Sequence, residues 1–437
     1  MKQYIDSQMC SCGKKHIAAI DDVRLGKNAI SCLGEYVKKF EAKRPFLLAD
    51  KNTFRAAGEK VCGILDSLQI PYSCYIFQCE SLEPNEESVG SAVMHYDANC
   101  DLIIGIGSGV INDIGKILSN ITGRKYIIVA TAPSMDGYAS ATSSMSMDGL
   151  KVSLNSKCAD VIIGDTDILK TAPDKMLQAG LGDMLAKYVS IAEWRIAHII
   201  TGEYYCEKVA ELIRTALNKC VDNAQGLLRR EDAAIEAVFE GLVIGGIAMA
   251  YAGVSRPASG VEHYFSHIWD MRGLEFGTKV DLHGIQCALG TLQAVKLYEV
   301  VKTHIPSLNI AKPYVEAFSY ERWKAELRKF LGNSAETMIA QEVREQKYDK
   351  STHADRFAKI QQNWDTIVEI LNEELPSYDA LSAILETVGI PLDLQSIDVD
   401  SDTAKMTFRA TKDIRDKYVL SRLAWDLGIL EDLCELL

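Results

Sequence analysis

The chain has 437 residues, 48% hydrophobic and 24% charged, enough to bury a large core and to divide into two domains. Its 47 basic and 60 acidic residues leave a formal net charge of −13, and no lysine or arginine run is present to track a phosphate backbone, so nucleic acid is not an expected partner. MKQYIDSQMCSCGKKH lacks the apolar centre of a signal peptide, no stretch of about 18 apolar residues is free of charges or turn residues, and twelve cysteines are scattered without regular spacing. A reduced, cytoplasmic protein without membrane insertion is expected.

Cys10, Cys12 and His16 form a close group of metal-ligand type, but no fourth ligand follows at a suitable spacing and the segment reads as a surface turn. Short apolar runs then alternate with helical patterns, the signature of parallel strands joined by crossover helices. The expected strands are PFLLAD (45–50), SCYIFQ (73–78), DLIIGIG (101–107), KYIIVAT (125–131) and ADVIIGD (159–165). Helical periodicity covers 24–42, 53–69, 85–98 and 110–121, giving a doubly wound, Rossmann-like sheet. SATSSMSMDGLKVSL carries the turn dipeptide Asp148-Gly149 and predicts a small ribbon beside it. Beyond Ala172 strand signals vanish and helical patterns run to the C-terminus, so an α/β domain is expected over 1–172 and an all-helical domain over 173–437. The charged stretch 334–376 keeps apolar residues at helical spacing and predicts solvated helices, not a linker.

DLIIGIGSGVINDIGK leads from a strand through Gly105, Gly107 and Gly109 into a helix, where a close backbone and unpaired amides suit a pyrophosphate. It departs from the usual dinucleotide fingerprint: position 110 is valine, and KYIIVAT ends without an acid. The alternative is a glycine turn that holds no ligand. Asp50, closing PFLLAD, suits either an adenosine ribose or the cap of the next helix. ATAPSMDGYASATSSM places Thr131, Ser134, Asp136, Ser140 and Ser143 beyond the following strand, where ligands of open parallel sheets bind.

Further on stand Asp183 in AGLGDMLAK, His263 and His267 in SGVEHYFSH, and His283 in DLHGIQC. One carboxylate with neutral imidazoles suits a divalent Zn, Fe or Ni ion and leaves a position open for a substrate oxygen. The competing reading is a set of ordinary packing histidines.

GIGSGVINDIGK, ATAPSMDGYAS, AGLGDMLAKY, SRPASGVEHYFSH and LHGIQCALGT together resemble the metal-dependent dehydrogenases of the iron-containing alcohol dehydrogenase, glycerol dehydrogenase and dehydroquinate synthase superfamily. Within it the likeness is to sn-glycerol-1-phosphate dehydrogenases, particularly the bacterial AraM-like form. It runs from about residue 45 to 300 and resumes in FRATKDIRDKYVLSRLAWDLG. The resemblance implies a dehydroquinate synthase-like fold, with Gly107, Ser108, Gly109, Val110 and Ile111 at the pyrophosphate and Thr131, Ala132, Pro133, Ser134 and Ser140 as further cofactor contacts. It places Asp50 beside the ribose, Asp136, Asp183 and His267 at the substrate, and Asp183, His263 and His283 on the metal, making these three the catalytic set. The spacing from His263 to His283 is wider than in archaeal members, and the 334–376 region lies outside the minimal pattern.

The expected activity is metal-dependent, NAD(P)-dependent reversible reduction of dihydroxyacetone phosphate to sn-glycerol 1-phosphate. Zinc is the expected ion, with nickel and iron as alternatives, and NAD(H) or NADP(H) the cofactor. A small phosphorylated substrate and a homo-oligomer such as a dimer complete the expectation. The alternatives are a polyol dehydrogenase, a cyclase using NAD transiently, and an idle sugar-phosphate-binding protein. Arg256 and Lys279 are the candidate phosphate partners.

Overall fold

A computed structural model of the chain describes residues 8–148 and 150–437. Ten strands occur among them: β1 (Gln8–Met9), β2 (Lys15–His16), β3 (Asp22–Gly26), β4 (Pro45–Asp50), β5 (Ser73–Phe77), β6 (Leu102–Gly107), β7 (Lys125–Ala130), β8 (Thr142–Met147), β9 (Leu150–Asn155) and β10 (Val161–Asp165). Six form one parallel sheet in the order β3-β10-β7-β6-β4-β5. β6 and β10 are buried at every position, as parallel strands covered on both faces must be, which is why their sequences are unbroken apolar runs. Alternate residues Leu47, Ala49, Ile104, Ile106, Ile127 and Val129 share one core with Leu33, Val37, Val61 and Leu65 of the helices Leu33–Lys39 and Glu59–Ser67.

The edge strand β3 is a departure from the sequence expectation, which runs a helix through 24–42. DVRLG buries only Val23, so it carries no apolar run; pairing with β10 makes it a strand, and helix begins after it at Ala29. The chain passes from β4 outward to β5 and returns on the other side of β4 to form β6. The strand order therefore reverses between β4 and β6, where open α/β sheets bind their ligands. Ala49 pairs with Ile106, so Asp50 and Gly107 end neighbouring strands at that point. β8 and β9 form the expected antiparallel ribbon; Asp148 in its turn has a left-handed φ of 52°, and Gly149 lies outside the described residues.

Two compact units emerge: Met1–Met184 with Lys208–Val254, and Leu185–Glu207 with Ser255–Leu437. Among the described residues the last strand ends at Asp165; the sequence expectation divides the chain at 172, whereas the first compact unit extends further. The helix Asp174–Leu185 enters it because Gly180 lies against the sheet's loops, and the helix Asp232–Ala252 packs on it through Phe239, which fills the space left by Gly164. That last helix is long and apolar enough to cross a bilayer by composition, yet 72% of its apolar window is buried within the protein.

The second unit is helical. Gly290 on the helix His283–Val301 lies against the main chain of Glu262 on Val261–Phe276, where a Cβ would stand 2.6 Å from the Glu262 carbonyl. This close approach sets the histidine-bearing turns side by side. In the charged 334–376 stretch, Ser334–Glu345, His353–Gln362 and Trp364–Glu374 are amphipathic helices that bury Met338, Phe357, Ile360, Ile367 and Leu371. Arg195 ties the last of them to the helix Lys187–Thr201 through Glu373 and Glu374.

Candidate cofactor loops and metal-ligand cluster

In the first unit, β6 delivers the chain into the helix Gly109–Thr122. Gly105 makes room for packing, since a Cβ there, or on Gly115, would stand 2.5 Å from the Tyr126 hydroxyl. Gly107 is tight against Ile111, with a Cβ falling 2.5 Å from the Ile111 Cβ. Ile111 is buried, so its side chain braces the loop and only its amide faces the helix end. Ser108 is the N-cap and places no side-chain cap on the helix. The first intrahelical bond of the turn runs from Asn112 to the Ser108 carbonyl at 2.9 Å, which leaves the amides of Gly109, Val110 and Ile111 as first-turn donors suited to an anion. Asp50 caps the helix that follows it: Oδ1 accepts from the amides of Asn52 and Thr53 at 2.7 and 2.9 Å while the Asp50 amide donates to Thr53 Oγ1 at 3.0 Å. The cap falls on one carboxylate oxygen only.

The neighbouring loop is fastened from below. Thr131 donates its amide to the Gly107 carbonyl at 3.1 Å, and the Ser134 hydroxyl reaches Ser108 Oγ at 3.4 Å. The Ala132 carbonyl accepts from the buried Tyr138 hydroxyl at 2.6 Å. The Pro133 carbonyl lies against Gly180, where a Cβ would fall 1.8 Å away. Buried Asn112 and Lys116 hold the Gly137 carbonyl at 3.0 and 3.3 Å, and Lys116 also takes the carbonyl of Thr142. Ser140 turns its hydroxyl onto Thr142, 2.9 Å from Oγ1, so it serves the entry to the ribbon. One turn beyond Gly180, fully buried Asp183 accepts the Asp136 amide on Oδ2 at 2.9 Å. Asp136 and Asp183, far apart in sequence, thus meet within one unit.

In the second unit, His263 and His283 lie with ring centroids 5.0 Å apart, and His267 is 6.2 Å from His283. The Nδ1 of His263 is 2.8 Å from Glu262 Oε1, which also accepts the Gly260 amide at 2.6 Å. The Nδ1 of His283 is 2.9 Å from Ser266 Oγ. Gln286 fits best with its amide nitrogen donating to Ser266 Oγ at 2.6 Å and to Asp270 Oδ1 at 3.2 Å. With Nδ1–H held by the Glu262 carboxylate, the His263 ring carries its lone pair on Nε2, the form in which histidine binds a divalent ion. The donor chemistry fits a zinc, nickel or iron ion. Cys287, one turn past His283, brings Sγ within 3.5 Å of Nε2. Burial alone would raise its pKa, but His263 and His283 outweigh that and hold the thiol below its ordinary value.

Glu193 stands behind this cluster. Its carboxyl accepts from the amides of Val261 and Leu420 at 2.9 and 2.7 Å and from the Tyr298 hydroxyl at 3.0 Å. Burial, then the charge of Glu262 across Gly260, push its pKa up to about 8. Arg256 is buried and committed to Glu203 and the Tyr418 carbonyl, so it is a structural clamp and not a phosphate partner. Lys279 is exposed and pairs with Asp398. Buried Lys417 donates to the Ser259 carbonyl at 2.6 Å, and burial, followed by Arg256 and Arg415, lowers its pKa to about 7. Glu262, Ser266 and Cys287 escape a reading of sequence, although each lies within four residues of a singled-out histidine; Glu193 has no local signal at all.

The sequence profile of the iron-containing alcohol dehydrogenase family matches residues 24–173. The glycerol-1-phosphate dehydrogenase [NAD(P)+] of Halalkalibacterium halodurans is 32% identical over 316 residues, 71% of this chain and 77% of the relative. That of Bacillus licheniformis is 25% identical over 428 residues, covering 97% and 94%. Among solved structures, a probable glycerol dehydrogenase from Sinorhizobium meliloti superposes with a TM-score of 0.59 at 16% identity, covering 96% of this chain and 98% of that one, which speaks for the fold alone. A parallel sheet followed by a helical unit, a glycine loop at the strand-order switch, paired imidazoles and this identity over most of the chain agree: the protein belongs to the glycerol-1-phosphate dehydrogenase family within the iron-containing alcohol dehydrogenase superfamily.

Proposed function

We propose that the chain is an NAD(P)- and metal-dependent oxidoreductase that reversibly reduces dihydroxyacetone phosphate to sn-glycerol 1-phosphate. The observation that carries the site assignment is the pair His263 and His283, set with ring centroids 5.0 Å apart and each fixed through Nδ1 by an oxygen partner, in a chain 32% identical to a glycerol-1-phosphate dehydrogenase. Asp183 is the proposed third donor. A divalent ion bound to these residues, zinc first among the candidates, supplies a Lewis acid for the ketone oxygen. The amides of Gly109, Val110 and Ile111, in the loop that Gly107 and Ser108 open, hold the cofactor pyrophosphate, and Thr131 to Ser134 make further cofactor contacts, so that NAD(P)H would supply the hydride. Asp136 donates its amide to Asp183 and is the proposed partner of substrate hydroxyls; His267 is the proposed hydrogen-bonding or proton-carrying group. Ser140 and Asp50 keep supporting places at the edges of the cofactor loops.

NADH and NADPH oxidation, followed with dihydroxyacetone phosphate and with unphosphorylated dihydroxyacetone, tests this reading. Dihydroxyacetone phosphate should be reduced with much the higher kcat/KM, because a phosphate contact adds binding that a hydroxyl lacks. Chelation should stop turnover and zinc or nickel should restore it. Equal kcat/KM for the two ketones would reassign the substrate to a polyol, and full activity without metal would sink the metal assignment.

A further inference from the structure

A second group of metal-ligand side chains lies in the ribbon formed by β1 and β2. Gln8 pairs with His16 and Met9 with Lys15. The turn between them is tight: the Cys10 amide donates to the Lys14 carbonyl and the Gly13 amide to the Cys10 carbonyl, each at 3.0 Å. Gly13 adopts a φ of +84°, a conformation that side-chain-bearing residues rarely take. This turn brings the ligand atoms of Cys10, Cys12 and His16 within 4.8 Å of one another.

The surface turn expected from the sequence forms, with Ser11, Gly13 and Lys14 exposed, but two of its candidate ligands face inward. Cys10 is 8% exposed and His16 5%. His16 is held from the helix Asp232–Ala252, where the Tyr251 carbonyl lies 3.2 Å from its Nδ1 and the Tyr251 ring stacks on the imidazole at 5.0 Å. A ring that gives Nδ1–H to a carbonyl keeps its Nε2 lone pair, and this is how ligating histidines are oriented. That Nε2 faces Cys12 Sγ at 3.6 Å. Zinc bonds of about 2.0–2.1 Å to nitrogen and 2.3 Å to sulfur at a tetrahedral angle place the two ligand atoms about 3.6 Å apart.

We propose that Cys10, Cys12 and His16 bind a structural zinc ion that pins the N-terminal ribbon to the end of the helix Asp232–Ala252. The donors are two thiolates and a neutral imidazole, which select zinc over magnesium or calcium; binding releases the two thiol protons to solvent, with no change of oxidation state. This site is chemically distinct from the imidazole–carboxylate set proposed for catalysis and stands or falls independently of it.

The test is zinc content of the full-length chain in the His263→Ala/His283→Ala background, which removes the catalytic donors. About one zinc per chain should remain, and adding Cys12→Ser or His16→Ala should remove it. Cobalt substituted into the same background should give a thiolate-to-metal charge-transfer band that Cys10→Ser abolishes. Should a variant fail to fold, the unaltered chain serves: Cys10 and Cys12 should resist alkylation with zinc bound and react after chelation, as read by mass spectrometry. Replacing each of the remaining ten cysteines in turn identifies any protein-derived fourth donor. A metal-free double variant, zinc retained in full without Cys12, a Cys10–Cys12 disulfide in the isolated protein, or alkylation unaffected by chelation would overturn the proposal.

Discussion

The cofactor loops of the first unit present main-chain groups, whereas the cluster in the second presents side-chain nitrogens. The loop from Gly107 to Ile111 is held by close packing that leaves no room for a Cβ: one on Gly107 would meet Ile111, and one on Gly105 would meet Tyr126. His263 and His283 are held through Nδ1 by hydrogen bonds to Glu262 and Ser266. A main-chain site therefore tolerates polar changes and breaks on added volume. A side-chain site tolerates modest volume and breaks when one acceptor is lost.

Losing a ligand is the severest test of that contrast. His283→Ala should lower turnover on the order of 10³-fold and release metal, with the sheet unit and cofactor binding retained; metal analysis and NAD(P)H binding measure the two separately. Its counterpart in the first unit is Gly180→Ala, whose Cβ would collide with the Pro133 carbonyl at 1.8 Å. It should destabilise the chain by about 3 kcal/mol in denaturant unfolding and weaken cofactor binding. Normal stability with normal binding would show that the loop yields.

Smaller changes sharpen the comparison. Glu262→Gln keeps the volume but withdraws the charge from His263, and metal affinity should fall by about 10- to 100-fold. Asp136→Asn should lower kcat/KM by about tenfold, or 1.4 kcal/mol, with little change in Tm if its carboxylate serves the substrate and its amide, bonded to Asp183, serves the fold. Near-normal kinetics would leave it only the structural role.

The smallest effect is one of pH. Glu193 faces Glu262, Tyr298 and, at longer range, Arg256, and its pKa is raised to about 8. A raised carboxyl pKa means that the folded state binds the proton more tightly, so its stabilising contribution is complete below the ordinary carboxyl pKa and is lost as pH climbs through about 8. Tm should fall as pH rises from about 5 to about 8, and Glu193→Gln should flatten that fall. An unchanged slope would remove Glu193 as its source.

Strands β4, β6, β7 and β10 are legible in sequence because strands buried on both faces must be apolar throughout, and glycines at 105 and 107 mark the turn that follows. β3 is not legible, since an edge strand with one buried residue owes its form to β10. Asp50 illustrates the division at one residue: two roles suit its position at a strand end, and the bonds from Asn52 and Thr53 establish the cap. Arg256 was open in the same way until Glu203 and Tyr418 claimed it.

By itself the sequence determined the inner strands and the helical runs, the glycine and polar loops beyond the strands, and the histidines with metal chemistry, because periodicity, glycine and imidazole act within one or two turns of chain. Only the tertiary structure decided that Gly180 would bring Asp183 to Asp136, that Gly290 would set His283 beside His263, and that Tyr251 would orient His16 toward Cys12. Each is a contact between segments far apart in the chain, created where a missing Cβ or an available carbonyl lets two backbones approach, and no local pattern of residues encodes which partner arrives.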